Sequence, residues 1–314
     1  MSRSLLRIIF AGSGEFGLPT LGALSDAGHE LVQIISQPDR PAGRGRELTP
    51  TPVSKFALER DLPLLRTQNI NAQPPPPADL LVVIAFGQKI APHVVSHARF
   101  GGINLHASLL PKYRGAAPIN WAIIRGETTT GNSVIRLADR MDAGAILGQS
   151  ELCIGDTETA GQLHDRLSQD GAPLMLRVIE ELATGTANER AQDESLATIA
   201  PKLSREASRL DFTRPAGELA NQIRGLSPWP GCRVRLLSQD GSEVVRLTLV
   251  SCTAAPADVS GEAPGSLADD GGIVAGDGLL HVLLLKPEGK RPMTVKDFRN
   301  ARPWTAGMRI ESVA

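Results

Sequence analysis

Leu5-Leu6-Arg7-Ile8-Ile9-Phe10-Ala11, then Gly12-Ser13-Gly14-Glu15-Phe16-Gly17, then the stretches 18–27 and 30–36, decide how this chain folds. A short apolar run, a glycine-rich turn, a helical stretch and a second apolar run spell strand, turn, helix, strand, which is one βαβ unit. Arg7 interrupts the first run, and glycines follow it at once, so it is too short for a signal core or a membrane span and is read as a buried strand. The same grammar continues downstream. Thr51 before Pro52 looks like an N-cap with proline at the first helical position, opening a helix to residue 61. Residues 80–85 are apolar without alternation, as in a strand buried on both faces of a parallel sheet. Strands follow at 102–106, 133–137 and 146–154, with helices at 118–125 and 159–183. A doubly wound, mostly parallel α/β sheet of the Rossmann-like kind is expected.

At 314 residues the chain exceeds what one hydrophobic core usually organises, so two domains are expected. Hydrophobic residues at 41% and charged residues at 21% describe a folding chain and exclude a disordered one. A net charge of −1 excludes a uniformly basic nucleic-acid coat and leaves room for local basic patches. Cys153, Cys232 and Cys252 are widely separated, in none of the paired spacings of zinc sites or disulfide frameworks, which fits a reducing cytoplasm. After Thr184 the composition turns small and polar, with no strong period until Leu210, as expected of an interdomain linker. The boundary is placed at Leu203, giving domains 1–203 and 204–314. In the second, one helix (215–226) and short alternating segments (233–237, 244–250, 272–275, 279–285) point to a smaller β-barrel, an OB-like barrel being one option.

Several motifs offer other chemistries. Gly12, Gly14 and Gly17 satisfy G-x-G-x-x-G, and Asp39 stands where a dinucleotide fold carries its ribose-binding acid. Asp39, however, follows Pro38 beyond the expected end of its strand, so its carboxylate is poorly placed for a ribose. The glycines are read as permitting a tight turn and close helix packing, and no NAD is expected. His93 and His97 are spaced to share a helix face, yet Val94 stands where a zinc protease carries glutamate, and no third ligand is near; no metal is expected. Ser108 lacks the flanking glycines of a nucleophile elbow, which argues against a serine hydrolase.

The residues that carry chemistry end the strand at 102–106. Period-two alternation puts Asn104 and His106 on one side and Leu105 on the other, at the carboxyl edge where open α/β sheets bind ligands. Asp142, within Asp139-Arg140-Met141-Asp142-Ala143-Gly144, lies in a loop between later strands that can return to that edge. The three supply a neutral donor, a titratable group and an anion, which is the set acyl transfer to an amine needs. Asn104 is the candidate oxyanion donor. A neighbouring carboxylate favours the cationic form of His106, which can then stabilise a tetrahedral intermediate and protonate the leaving nitrogen. Asp142 orients it and accepts the amine's proton. Taken alone, Asn-x-His at a strand end serves equally well to hydrogen-bond loop backbone.

Directly after the histidine, Ser108-Leu109-Leu110-Pro111-Lys112-Tyr113-Arg114-Gly115-Ala116-Ala117-Pro118-Ile119 resembles the signature loop of the formyltetrahydrofolate-dependent transferases. The resemblance implies 10-formyltetrahydrofolate as formyl donor, lying along Ser108, Leu109, Leu110 and Pro111, with its pterin near Phe86 and Gly87. Gln37-Pro38-Asp39-Arg40-Pro41-Ala42-Gly43-Arg44-Gly45-Arg46 looks like the basic loop by which family members acting on initiator tRNA grip its acceptor end. Arg40, Arg44 and Arg46 are thereby candidate RNA contacts on a loop broken by glycine and proline. Pro201-Lys202-Leu203-Ser204-Arg205-Glu206, Pro228-Trp229-Pro230-Gly231 and Leu285-Lys286-Pro287-Glu288-Gly289-Lys290 resemble the interdomain stretch, the start of the second domain and a late strand and turn of those members. Lys286, Lys290 and Arg291, with Lys296, Arg299 and Arg302, outnumber Glu288 and Asp297 there, implying a basic face for the tRNA backbone. One departure is Gly12-Ser13-Gly14-Glu15-Phe16, where the family usually has Gly-Thr-Pro, an acidic residue and Phe. The implied protein is a cytoplasmic, monomeric enzyme of translation initiation, working with methionyl-initiator tRNA and a reduced folate and with no membrane. Related enzymes formylate amino sugars on nucleotides or glycinamide ribonucleotide, but have no need of the 40–46 loop. A hydrolase releasing formate, with water as acceptor, and a non-catalytic RNA-binding module are the other readings; the intact Asn104, His106 and Asp142 argue against the last.

Overall fold

The computed structural model describes residues 5–42, 45 and 47–313. The chain forms two compact units, which are not separated by a single cut in the sequence. The first takes Met1–Gly115, Gly131–Leu152 and His164–Ile199; the second takes Ala116–Thr130, Cys153–Leu163 and Ala200–Ala314.

In the first unit, seven strands lie in the order Ile146–Cys153, Thr129–Arg136, Gly102–His106, Leu80–Ile84, Arg7–Gly12, Glu30–Ser36, Leu64–Arg66. The central pairs are parallel, with Ile8 opposite Leu80 and Val82 opposite Ile103. Gly102–His106 is the turning point, because its other neighbour, Thr129–Arg136, runs antiparallel with His106 opposite Ser133. All five residues of Leu80–Ile84 are buried, as are Ile8 to Ala11, so the unalternating apolar runs do occupy the middle of a sheet covered on both faces. Each large aliphatic side chain buried this way contributes about 1.5–3 kcal/mol relative to exposure. The helix Leu18–Asp26 follows the first turn, and Thr51 caps the helix Pro52–Glu59, its Oγ1 accepting from Ser54 N at 3.0 Å. That helix ends two residues short of the expected 61, where Asp61 takes a φ of +52°.

Other departures share a cause. The edge strand Leu64–Arg66 and the hairpin Arg40–Ala42 with Glu47–Thr49 are only three residues per strand, too short to show alternation. The strand expected at 133–137 begins at Thr129 because Gly131, which reads as a turn residue, is a close-approach glycine: a Cβ there would lie 1.9 Å from the carbonyl oxygen of Ser150.

The second unit is an antiparallel barrel with strands in the order Ile273–Val274, Gly278–Pro287, Glu243–Pro256, Cys232–Leu237, Arg309–Ser312, and with Met293–Thr294 added beside Gly278–Pro287. Residues 265–268 nearly close it: Leu267 N donates to Met308 O at 2.8 Å, while Val274 N donates to Ser266 O at 2.9 Å. Cys232–Leu237 alternates buried and exposed, and its inward residues join Leu249, Cys252, Leu280, Leu285 and Trp304 in one core. The helix Ala216–Gly225 turns Leu219, Ala220 and Ile223 into that core. At its end Gly225 lies against Asn120 and Ile124 of the helix Pro118–Ile124, where a Cβ would come within 2.6 Å of Ile124. No helix among the described residues is long and apolar enough to cross a membrane.

Candidate active site

Alternation along Gly102–His106 operates as period two demands. Leu105 is buried toward the long helix Ala160–Thr184, so close that a Cβ on Gly171 would meet it at 2.5 Å. Asn104 and His106 face the other way. Asn104 is half-buried, and its side-chain amide makes no hydrogen bond among the described residues, which leaves its donors to a bound group.

His106 is 6% exposed, and its ring is tied to backbone: Nε2 lies 2.9 Å from the carbonyl oxygen of Tyr113. A carbonyl oxygen only accepts, so Nε2 carries the hydrogen of this bond. Nδ1 then turns to Asp142, whose Oδ1 stands 3.6 Å away. That distance suits an ion pair and is too long for a direct hydrogen bond. The carboxylate is anchored in the same fashion, its other oxygen, Oδ2, accepting from Gly115 N at 2.8 Å. Each group thus has one atom held by backbone and one left over, and the two remaining atoms face each other.

The backbone that presents these atoms is strained. Tyr113 has a φ of +63° and Asp142 a φ of +54°, left-handed conformations that cost a non-glycine residue about 1–3 kcal/mol and persist where the surroundings over-determine them. The surroundings here are visible. Gly144 packs so tightly on the preceding strand that a Cβ would fall 1.9 Å from Arg136 O. Gln192 Nε2 donates to Asp142 O at 2.7 Å and to Gly144 O at 2.8 Å. Gln192 Oε1 accepts from Arg114 Nη2 at 2.7 Å, and the buried Arg114 forks onto Glu194 as well, at 2.9 Å. The Arg114 guanidinium holds the Glu194 carboxyl below its ordinary value, with exposed Arg140 adding to the effect. Tyr113, Arg114 and Gly115 lie in the loop quoted from the sequence. Gln192 and Glu194 do not: they sit in the stretch read as a linker, and nothing local marks them.

The residues expected to line the folate divide into two kinds. Ser108 is fully buried, its Oγ donating to Lys112 O at 2.7 Å and its carbonyl accepting from Ser133 Oγ. Leu110 is buried with Ile135 and Ile146, and its N–H is taken by Ser133 Oγ. These two hold the loop together, whereas Leu109 and Pro111 remain half-exposed. Phe86 buries its ring among Ile9, Ile35, Val83 and Val94, and its carbonyl accepts from Gln37 Nε2 at 3.2 Å, so a ligand meets backbone rather than the ring there.

Arg40 is exposed at the start of the short hairpin; Arg44 and Arg46 lie outside the described residues. The basic segment is therefore flanked by paired strands and is not an open loop throughout. Lys286, Lys290 and Arg291 are all exposed on the barrel. Lys286 stands opposite Thr248, which stands opposite Arg233, so Arg233 adds a positive charge to the same face. The alternation of its strand was the signal for it.

A Cβ on Gly12 would meet Ile84 O at 2.8 Å and one on Gly17 the ring of Phe10 at 3.1 Å, so both glycines serve close packing of the turn. Asp39 is paired with Arg66 at 3.2 Å. His93 lies on the helix Pro92–Val95 and His97 beyond its end, so the two do not share a helix face. Among the described residues no group of three His, Cys, Asp or Glu side chains is placed to hold a metal.

Comparison with known proteins bears on the chain as a whole. Residues 6–179 match the family described as "Formyl transferase", and residues 202–303 match "Formyl transferase, C-terminal domain". The methionyl-tRNA formyltransferase of Methylococcus capsulatus is 39% identical over 97% of this chain and 99% of its own length. That of Pseudomonas fluorescens is 41% identical over 95% and 93%, and that of Bacillus licheniformis 36% over 98% of each. Among solved structures, WlaRD, a sugar 3N-formyl transferase, superposes with a TM-score of 0.64 over 92% of this chain and all of its own, at 17% identity. HypX from Aquifex aeolicus in complex with tetrahydrofolic acid gives 0.60 over 94% of this chain and 47% of its own, at 16% identity. At such identities these two structures speak to the fold alone.

Proposed function

This chain belongs to the methionyl-tRNA formyltransferases, within the formyl transferase family, and from that premise we propose how its own residues carry the reaction. The formyl group of 10-formyltetrahydrofolate passes to the free amine of methionine on initiator tRNA, at Asn104, His106 and Asp142. The observation that carries this reading is the 3.6 Å gap between His106 Nδ1 and Asp142 Oδ1, each the unanchored atom of its group.

The amine nitrogen attacks the formyl carbon and the carbonyl oxygen becomes an oxyanion. Asn104, with its amide donors uncommitted, hydrogen-bonds that oxygen; a preoriented donor in a water-poor site gains most as the charge develops. Asp142 Oδ1 takes the proton released by the attacking amine. His106, its Nε2–H fixed on Tyr113 O, donates from Nδ1 to the departing folate nitrogen as the carbon–nitrogen bond breaks. The proton on Oδ1 then returns to Nδ1 across the gap, so the pair is restored with one amine N–H lost and one folate N–H gained.

Leu109, Pro111 and the backbone at Phe86 and Gly87 offer the folate an apolar surface with a few polar backbone groups, with Ser108 and Leu110 holding that surface in shape. In this reading residues 1–203 bind the folate, residues 204–314 contact the tRNA through Lys286, Lys290 and Arg291, and Arg40, Arg44 and Arg46 hold its acceptor end. The enzyme works as a cytoplasmic monomer. Incubation with 10-formyltetrahydrofolate and methionine-charged initiator tRNA should yield formylmethionine on the tRNA. Free formate without tRNA product, or formylated amino sugar in preference to it, would reject the acceptor assigned here. Replacing Lys286 and Lys290 together should flatten the salt dependence of tRNA affinity by about two phosphate contacts, leaving folate affinity unchanged.

A further inference from the structure

Residues 189–198 follow the long helix Ala160–Thr184 and have the composition of a tether, yet they are fastened along their length to the first unit. Ile146 and Arg190 exchange backbone hydrogen bonds at 2.8 and 2.9 Å, and Glu189 pairs with Arg136 at 2.6 Å. From that fixed end the segment reaches both arms that hold the reacting histidine. On one arm Gln192 donates to the carbonyls of Asp142 and Gly144. On the other, Thr198 Oγ1 accepts from Tyr113 N at 2.9 Å, and Tyr113 O is what fixes His106 Nε2. Arg114, 5% exposed, ties the two together by forking onto Gln192 and Glu194 from the loop that carries Tyr113 and Gly115.

Two left-handed residues, Tyr113 and Asp142, are therefore both bonded to one short segment. An irregular stretch with no core of its own does not need both amide protons of a glutamine aimed at two carbonyls of an active-site loop merely to connect domains. Two donated bonds to carbonyls two residues apart fix where the Asp142 loop sits, and with it the Oδ1-to-Nδ1 gap. We propose that residues 189–198 form a positioning strap for the reacting pair, with Gln192 as the residue that sets Asp142 and Thr198 as the one that sets Tyr113 and, through it, His106. The inference rests on the reading of His106 and Asp142 as the reacting groups.

The test is a double-mutant cycle on the full-length enzyme. Gln192→Glu keeps an acceptor for Arg114 and deletes both donors to the Asp142 loop, so it loosens the loop without opening the rest of the network. Single-turnover formyl transfer to methionine-charged initiator tRNA and KM for the formyl folate are measured in Gln192→Glu, Asp142→Asn and the double variant, with urea midpoints for each. A strap predicts a rate lower by about 10²-fold in Gln192→Glu with folate KM little changed, since a loop displaced by about 1 Å loses that much. In the Asp142→Asn background the same change should cost less than about threefold, because the group being positioned is already gone. An equal factor in both backgrounds, or a near-normal rate for Gln192→Glu, overturns the strap while leaving the site assignment standing. A near-normal rate for Asp142→Asn itself overturns the site assignment and the strap with it. Should Gln192→Glu not fold, Thr198→Val decides the matter: it removes the acceptor of Tyr113 N and leaves the Ile146–Arg190 anchorage in place. A lowered rate with unchanged folate KM supports the strap there too, and an unchanged rate overturns it.

Discussion

Replacing Gly144 by alanine would place a Cβ 1.9 Å from the carbonyl oxygen of Arg136 and 2.8 Å from its carbon. Gly144 does not have a positive φ, so alanine meets no backbone penalty of its own and the effect is steric. Both atoms met are backbone of the last residue of the strand Thr129–Arg136, which is paired on both sides in the sheet, and no rotamer change relieves the clash. Non-bonded carbon–oxygen contacts closer than 3.0 Å are essentially never seen at a Cβ, so opening 1.9 Å to 3.0 Å moves the loop by about 1.1 Å. The strand is locked in a sheet, so the loop moves, and Asp142 lies two residues away with its Oδ1 set 3.6 Å from His106 Nδ1. A misplacement of about 1 Å costs about 10²-fold in rate, or about 2.7 kcal/mol of barrier. Overpacking of this size also lowers stability by about 1–3 kcal/mol. The assay is single-turnover formyl transfer to charged initiator tRNA, alongside folate affinity and a urea denaturation curve. Gly217→Ala is the control, since nothing lies within 4 Å of its would-be Cβ on the helix Ala216–Gly225; it should leave the rate alone and stabilise by about 0.4–1 kcal/mol. A Gly144→Ala enzyme that folds, binds folate and turns over within about twofold of the parent would refute the idea that loop placement governs the chemistry.

Asn104→Ala removes the uncommitted amide donor and should lower turnover by about 10²–10³-fold with little change in folate affinity, read from initial rates against folate concentration. Arg224 is 6% exposed and its Nη1 donates to the carbonyls of Gly155 and Glu158, so Arg224→Met should lower the stability of the second unit by about 1–3 kcal/mol in urea titrations without touching Asn104, His106 or Asp142. Glu194 has its carboxyl lowered from 4.5, chiefly by Arg114 and further by Arg140. A carboxyl lowered in the folded state stabilises fully above its ordinary value and loses that contribution as pH falls through its folded value. Glu194→Gln should therefore shift the urea midpoint at neutral pH, and the difference from the parent should fade as the pH drops below 4.5.

What the sequence by itself determined is what local period can carry. Glu30–Ser36 and Gly102–His106 fall where their alternation and apolar runs place them, and Thr51 caps the helix that its side chain announces. Side-chain period two was enough to set Asn104 and His106 on one side and Leu105 on the other, since that relation needs only the strand itself. Where local signals are interrupted, the reading falls short. The strand expected at 244–250 runs from Glu243 to Pro256, because register shifts beside Ser251 break its alternation midway. Tertiary structure alone decided the rest. It set which imidazole nitrogen is fixed on Tyr113 and which faces Asp142, and it joined the helix Pro118–Ile124 to the barrel unit. It also bonded a stretch with a tether's composition to the backbone of Asp142, Gly144 and Tyr113. Those outcomes depend on single polar atoms meeting across long sequence separations, and such contacts impose no period on the residues that make them.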